Sequence, residues 1–147
     1  MELVQPELAD LVALDSRCFS DPYSEVLWHS YLERPKRFYV CGFCRDRTLV
    51  GYACFSVLEP EAELLRVGVL PEYRSAGIAY AGLAAAQQQL ASNGIERLLL
   101  EVRESNQAAR KLYQSLGYVN DGRRCGYYPS EADHPAEDAL LLSLNLK

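Results

Sequence analysis

Apolar positions recur first at helical spacing. Over residues 6–19, Leu8, Leu11, Val12, Ala13 and Leu14 form one stripe, which predicts an amphipathic helix ending before the turn-rich Ser20-Asp21-Pro22. A second, shorter helix is predicted from about Ser24, where Ser24-Glu25 supplies a cap. It stops at Arg34-Pro35, because proline crowds the helical geometry of the residue before it. Strand-like runs follow: residues 38–44 and 49–58 are rich in aromatic and β-branched side chains and are joined by the hairpin signal Arg45-Asp46-Arg47-Thr48. Residues 63–70 continue as a third strand. Residues 80–92 are Ala, Leu and Gln for the most part, strong helix formers halted by Asn93-Gly94. The alternation then repeats: a strand at 97–103, a helix at 107–116 closed by Gly117, and two closing strands at 118–127 and 139–146.

The predicted order is ααβββαβαββ, a single α/β domain over residues 1–147. Strand-helix-strand at this spacing implies a right-handed crossover. The sheet is therefore expected to be mixed and mostly antiparallel, with a central parallel strand pair and helices on both faces. In such sheets a ligand crevice lies beyond the carboxyl ends of the parallel strands, which singles out the segments after Leu70 and Arg103.

Composition narrows the class. With 49% hydrophobic and 24% charged residues the chain is an ordinary globular protein, neither disordered nor fibrous. A net charge of -5 with scattered Lys and Arg argues against nucleic-acid binding. The acidic N-terminal residues carry no apolar stretch long enough for a signal peptide or a membrane span, so a cytoplasmic protein with no membrane partner is expected. Five cysteines make an odd number, and Cys41-x-x-Cys44 lies in an extended run with no second pair, so free thiols and no metal are expected.

Two segments carry candidate chemistry. Arg74-Ser75-Ala76-Gly77-Ile78-Ala79-Tyr80 places small residues between a strand and a helix start, where backbone N–H groups and the positive helix end suit an anion. A plain strand-to-helix turn would look similar. A nucleotide triphosphate loop is disfavoured, because no Gly-Lys-Ser/Thr follows. In the second segment Glu101 stands inside the apolar run Leu98-Leu99-Leu100-Glu101-Val102, where a carboxylate needs a wet outlet or a cationic partner. A general base in a cleft fits this pattern as well as a structural residue that pairs with a nearby Arg or faces solvent at the sheet's edge. Tyr113, beside Ala109, Leu112 and Leu116, reads as a core aromatic on its own.

A resemblance alters that balance. Arg74-x-x-Gly77-x-Ala79 resembles the Arg/Gln-x-x-Gly-x-Gly/Ala signature of GNAT acetyltransferases. The run from Glu101-Val102-Arg103-Glu104-Ser105-Asn106 through Leu112-Tyr113-x-x-Leu116-Gly117-Tyr118 resembles their N-terminal protein acetyltransferases, most of all the bacterial ribosomal-protein-alanine N-acetyltransferases of the RimI group. Arg123-Arg124-x-Gly126-Tyr127-Tyr128-Pro129 and Glu137-Asp138-Ala139 extend the likeness. It implies the GNAT fold and direct acetyl transfer from acetyl-CoA to a protein N-terminal amine, with the N-terminal alanine of a small-subunit ribosomal protein as the group's acceptor. By the same resemblance, Glu101 would be the proton acceptor and Tyr113 the proton donor. Acetyl-CoA would lie against Val67, Gly68 and Val69, the loop residues Arg74, Ser75, Ala76, Gly77, Ile78, Ala79 and Tyr80, and Asn106 and Tyr113. Gly68 stands where the family usually has Ala. Tyr23, in a Pro-Tyr-Ser-Glu stretch, and Tyr127 and Tyr128 would face the acceptor peptide.

Overall fold

The computed structural model describes residues 1–147. Its elements are β1 (Glu2–Val4), α1 (Leu8–Cys18), α2 (Glu25–Leu32), β2 (Phe38–Arg45), β3 (Thr48–Leu58), β4 (Glu61–Val69), a 3-10 turn at Pro71–Tyr73, α3 (Ile78–Ser92), β5 (Arg97–Arg103), α4 (Gln107–Ser115), β6 (Val119–Tyr128) and β7 (Glu137–Asn145). The expected order omitted β1. This three-residue edge strand pairs antiparallel with β2, Leu3 opposite Phe43, and so short a segment carries no periodicity of its own.

Local chemistry accounts for the element ends. Ser24 caps α2 by accepting from the Leu27 N–H at 3.1 Å, and Asn106 caps α4 by accepting from the Ala109 N–H at 3.2 Å. The β2–β3 hairpin turns on Asp46 and Arg47, both with positive φ, as a tight two-residue hairpin turn demands. Gly77, at φ 76°, opens α3 with the chain reversing sharply before it.

All seven strands form one sheet in the order β1-β2-β3-β4-β5-β7-β6. Every neighbouring pair is antiparallel except β4 with β5. Helices cover both faces. One face packs Phe43, Phe55, Leu98, Leu100 and Val102 against α3 and Tyr113 of α4. The other packs Tyr52, Cys54 and Leu70 against Leu11, Leu14 and Trp28 of α1 and α2. Trp28 is fully buried and anchors α2, a burial that contributes a few kcal/mol at about 25 cal/mol per Å². No helix is long and apolar enough to cross a membrane. All five cysteines are free thiols, Cys41 and Cys54 in the core and Cys125 exposed.

Candidate active site

The parallel pair β4–β5 holds together over only three positions, Glu61 with Arg97, Ala62 with Leu98, and Glu63 with Leu99. Beyond them the strands part. Residues 64–69 keep β3 as partner and residues 100–103 keep β7, so a wedge opens in the middle of the sheet. The Leu70 N–H donates to Val50 O at 2.9 Å, which fixes the alternation along β4. Backbone groups of Gly68 therefore face β3, and those of Val67 and Val69 face the wedge. Arg74 Nε occupies Val69 O at 3.0 Å, which leaves the Val69 N–H and both groups of Val67 open. Gly68 has a separate steric reason to lack a side chain: a Cβ there would lie 2.8 Å from the Tyr52 ring.

At the wedge mouth the chain turns into α3. The first backbone donor there with a backbone acceptor is Ala81 N–H, bonded to Gly77 O at 3.0 Å. The N–H groups of Ser75, Ala76, Gly77, Ile78, Ala79 and Tyr80 have none, and Ser75 (φ 64°) and Gly77 (φ 76°) bend the loop into a concave run of donors. Such a nest at a helix N-terminus suits a phosphate or pyrophosphate. The Arg74 side chain points away from this run, bridging Val69 O and, at 3.4 Å, Cys18 O. Tyr80 is half-exposed on the first turn of α3.

Glu101 and Tyr113 approach the wedge from opposite faces. Leu98, Leu100 and Val102 of β5 enter the core beneath α3 and α4, so the alternating Glu101 projects to the α1–α2 face. There its Oε1 accepts from Arg124 Nη1 at 2.8 Å, so the cation-paired arrangement is present inside the wedge itself. Glu63, at the last paired position of β4, stands on the same face at the root of the wedge, with no ion pair. Burial first and the charge of Glu101 second push its carboxyl above the usual range, while Arg124 pulls it down. Tyr113 belongs to the α3–α4 core, 8% exposed and tilted against Tyr118 with ring centroids 5.6 Å apart. Burial pushes its hydroxyl up to about 12. Asn106 sits where β5 passes into α4, its carbonyl oxygen used as the cap and its amide nitrogen free.

Tyr127 and Tyr128 flank the carboxylate from β6. The Arg124 guanidinium lies 4.3 Å over the Tyr127 ring and that of Arg103 4.0 Å over Tyr128, tying both rings to cations around Glu101. Tyr23 is half-buried, packed on Trp28 and Tyr31 in the α1–α2 loop.

Sequence reasoning missed the polar cluster beneath that loop. Asp15 is fully buried, yet it accepts from the Tyr23 N–H at 2.7 Å, Trp28 Nε1 at 3.2 Å, Arg66 Nη1 at 3.0 Å and the Tyr52 hydroxyl. Its signal lay in plain view: Asp15 follows Leu11 by four residues, on the buried stripe of α1. The structure brings together no group of three or more His, Cys, Asp or Glu side chains able to hold a metal.

Comparison with known proteins identifies the family. The acetyltransferase (GNAT) family matches residues 8–118. The ribosomal protein bS18-alanine N-acetyltransferase of Escherichia coli K12 is 32% identical over 141 residues, covering 94% of this chain and 93% of that protein. The same-named protein of Haemophilus ducreyi is 38% identical over 104 residues, 71% of each chain. The crystal structure of the ribosomal-protein-S18-alanine N-acetyltransferase from Escherichia coli superposes with a TM-score of 0.86 at 30% identity, over 99% of this chain and 94% of that one. On the match to residues 8–118 and on relatives of this identity and coverage, this chain belongs to the GNAT acetyltransferase family.

Proposed function

We propose that this protein transfers an acetyl group from acetyl-CoA, the co-substrate of the GNAT family, to the N-terminal amine of a protein, with the N-terminal alanine of ribosomal protein bS18 as acceptor. One observation carries the reading. The likeness to proteins named for that acceptor spans nearly the whole chain, and the two residues that approach the wedge, Glu101 and Tyr113, are those to which the motif resemblance gives the proton transfers. Direct binding of nucleic acid or membrane forms no part of it, and a cytoplasmic site of action is the setting it implies.

The geometry supports the following chemistry. The donors of residues 75–80 suit the pyrophosphate, and Val67 and Val69 offer backbone groups to the arm that carries the thioester. Amine and thioester meet in the wedge between β4 and β5. The incoming α-amine is mostly protonated near neutrality and must lose a proton before it attacks. Glu101, on the acceptor face, takes that proton directly or through water. The amine nitrogen then bonds to the carbonyl carbon, and the Val69 N–H stabilises the charge on oxygen. When the carbon–sulfur bond breaks, the leaving thiolate takes the Tyr113 proton from the other face. The second proton of the attacking nitrogen is lost as the amide forms and restores Tyr113 through solvent, so that the net products are the amide, the CoA thiol and the one proton taken by Glu101. The burial that raises Tyr113 keeps its proton in place until then and raises the basicity of a thiolate in the same pocket.

The test offers acetyl-CoA with N-terminal peptides, peptides bearing only a lysine amine, and polyamines. Acetylation of a peptide beginning with the bS18 alanine, well above the others, is expected. Turnover of polyamines alone would overturn the acceptor, and CoA binding with no turnover would leave only a binding module.

A further inference from the structure

Residues 20–23 lack any backbone–backbone hydrogen bond: Phe19 N–H reaches back to Asp15 O, and the next bond is from Trp28 to Ser24 O. Side chains must hold this loop. Most of that hold comes from one residue, Arg66. Its guanidinium lies 4.1 Å from the centroid of the Phe19 ring and 4.0 Å from that of Tyr23. It also donates to Asp21 O at 3.3 and 3.4 Å and to Asp15 at 3.0 Å. Asp15 in turn fixes the Tyr23 N–H.

We propose that Arg66 is a positioning residue for the acceptor, holding residues 19–23 in one conformation on the Glu101 face of the wedge. This rests on the N-terminal acetyltransferase reading above. Arg66 directly precedes Val67, whose backbone faces the wedge, so the loop is referenced to the strand that carries the reaction centre. Stability alone gives little reason for such an arrangement. Apolar residues of like volume commonly replace a buried ion pair at no loss, whereas only a planar, forked cation can stack between two rings while bonding a carbonyl and a carboxylate. Neighbouring ties have the same direction: Arg74 reaches Cys18 O, and Arg17 grips Glu72 through both carboxylate oxygens at 2.8 and 2.9 Å.

The test separates positioning from mere folding. In the double variant Asp15→Asn/Arg66→Met, the asparagine oxygen can still accept from the Tyr23 N–H and Trp28 Nε1, its amide nitrogen can donate to the Tyr52 hydroxyl in place of the bond that hydroxyl now makes, and the methionine fills the space without charge. Its melting temperature is expected close to wild type, while the KM for the bS18-type peptide rises about tenfold, kcat stays within about threefold and acetyl-CoA affinity is unchanged. Arg66→Lys, which keeps the charge and loses the fork and the stack, is expected to show the same split in smaller degree. A double variant with wild-type KM overturns the proposal. Amide exchange of residues 19–24 gives a readout independent of the acceptor: it should quicken in the double variant, and unchanged exchange overturns the proposal even if the acceptor assignment also fails.

Discussion

Arg124 Nη1 donates a 2.8 Å hydrogen bond to Oε1 of Glu101, reaching from the edge strand β6 across β7 to β5. The guanidinium also covers the Tyr127 ring at 4.3 Å, so carboxylate, cation and aromatic wall form one unit on the α1–α2 face of the wedge. Glu63, facing this unit without an ion pair, reports on its charge.

Two variants should move Glu63 in opposite directions. Burial and Glu101 hold its carboxyl high and Arg124 holds it down, so Arg124→Gln raises the pH at which Glu63 titrates and Glu101→Gln lowers it. Site-resolved carboxyl NMR titrations read this directly. Glu101→Gln should also cut kcat by roughly 10² to 10⁴, the ordinary worth of one proton transfer. Shifts of the same sign in both variants would break the proposed charge arrangement.

Tyr113→Phe removes a hydroxyl and nothing from the packing. A fall in kcat of about 10² or more is expected with acetyl-CoA affinity intact. Because burial pushes the hydroxyl up to about 12, the wild-type rate should show no loss from Tyr113 ionisation anywhere below about pH 11. Wild-type kcat in the Phe variant would assign Tyr113 to the core alone.

Gly68 is tied to Tyr52. In Gly68→Ala the new Cβ would meet the ring at 2.8 Å, and the ring cannot simply swing aside because its hydroxyl is bonded to buried Asp15. Overpacking of this kind costs about 1–3 kcal/mol, a fall of roughly 3–10 °C in Tm for a chain of this size. Thermal unfolding checks it, and Tyr52→Ala added to Gly68→Ala should relieve the clash without restoring stability.

That pairing also marks where sequence reading stops. The helices and hairpins were legible because period and breakers are local: α1 and α2 run within the expected spans, and α3 begins at Ile78, two residues before the expected Tyr80. Glu101 was legible because a lone carboxylate in an apolar strand is locally odd. The wedge itself was not, since it depends on where β4 and β5 stop pairing, a property of neither strand alone. The Asp15 cluster joins α1, α2, β3 and β4, so its acid could be noticed on the helix stripe while Arg66 and Tyr52 could not be assigned to it. Arg124 likewise became a partner of Glu101 only once β7 had been inserted between their strands.

The acidic pair that opens β7 sets a pH limit on the segments around Glu101. Glu137 accepts from Arg103 at 2.9 Å and from the Ser105 N–H at 3.3 Å, and Asp138 from Arg123 at 2.7 Å and the Gly126 N–H at 2.8 Å. Those hydrogen bonds hold both carboxyls below their usual values. A depressed folded value means that the stabilisation is complete above the ordinary carboxylate range and is lost as pH falls through the folded values. The segment joining β5 to α4 and the end of β6 with Tyr127 and Tyr128 should therefore loosen only below about pH 4. Amide shifts and exchange at Ser105 and Gly126 check this. Both amides should change together in that acid window in the wild type, and in Asp138→Asn the acid response of Gly126 should vanish while that of Ser105 persists.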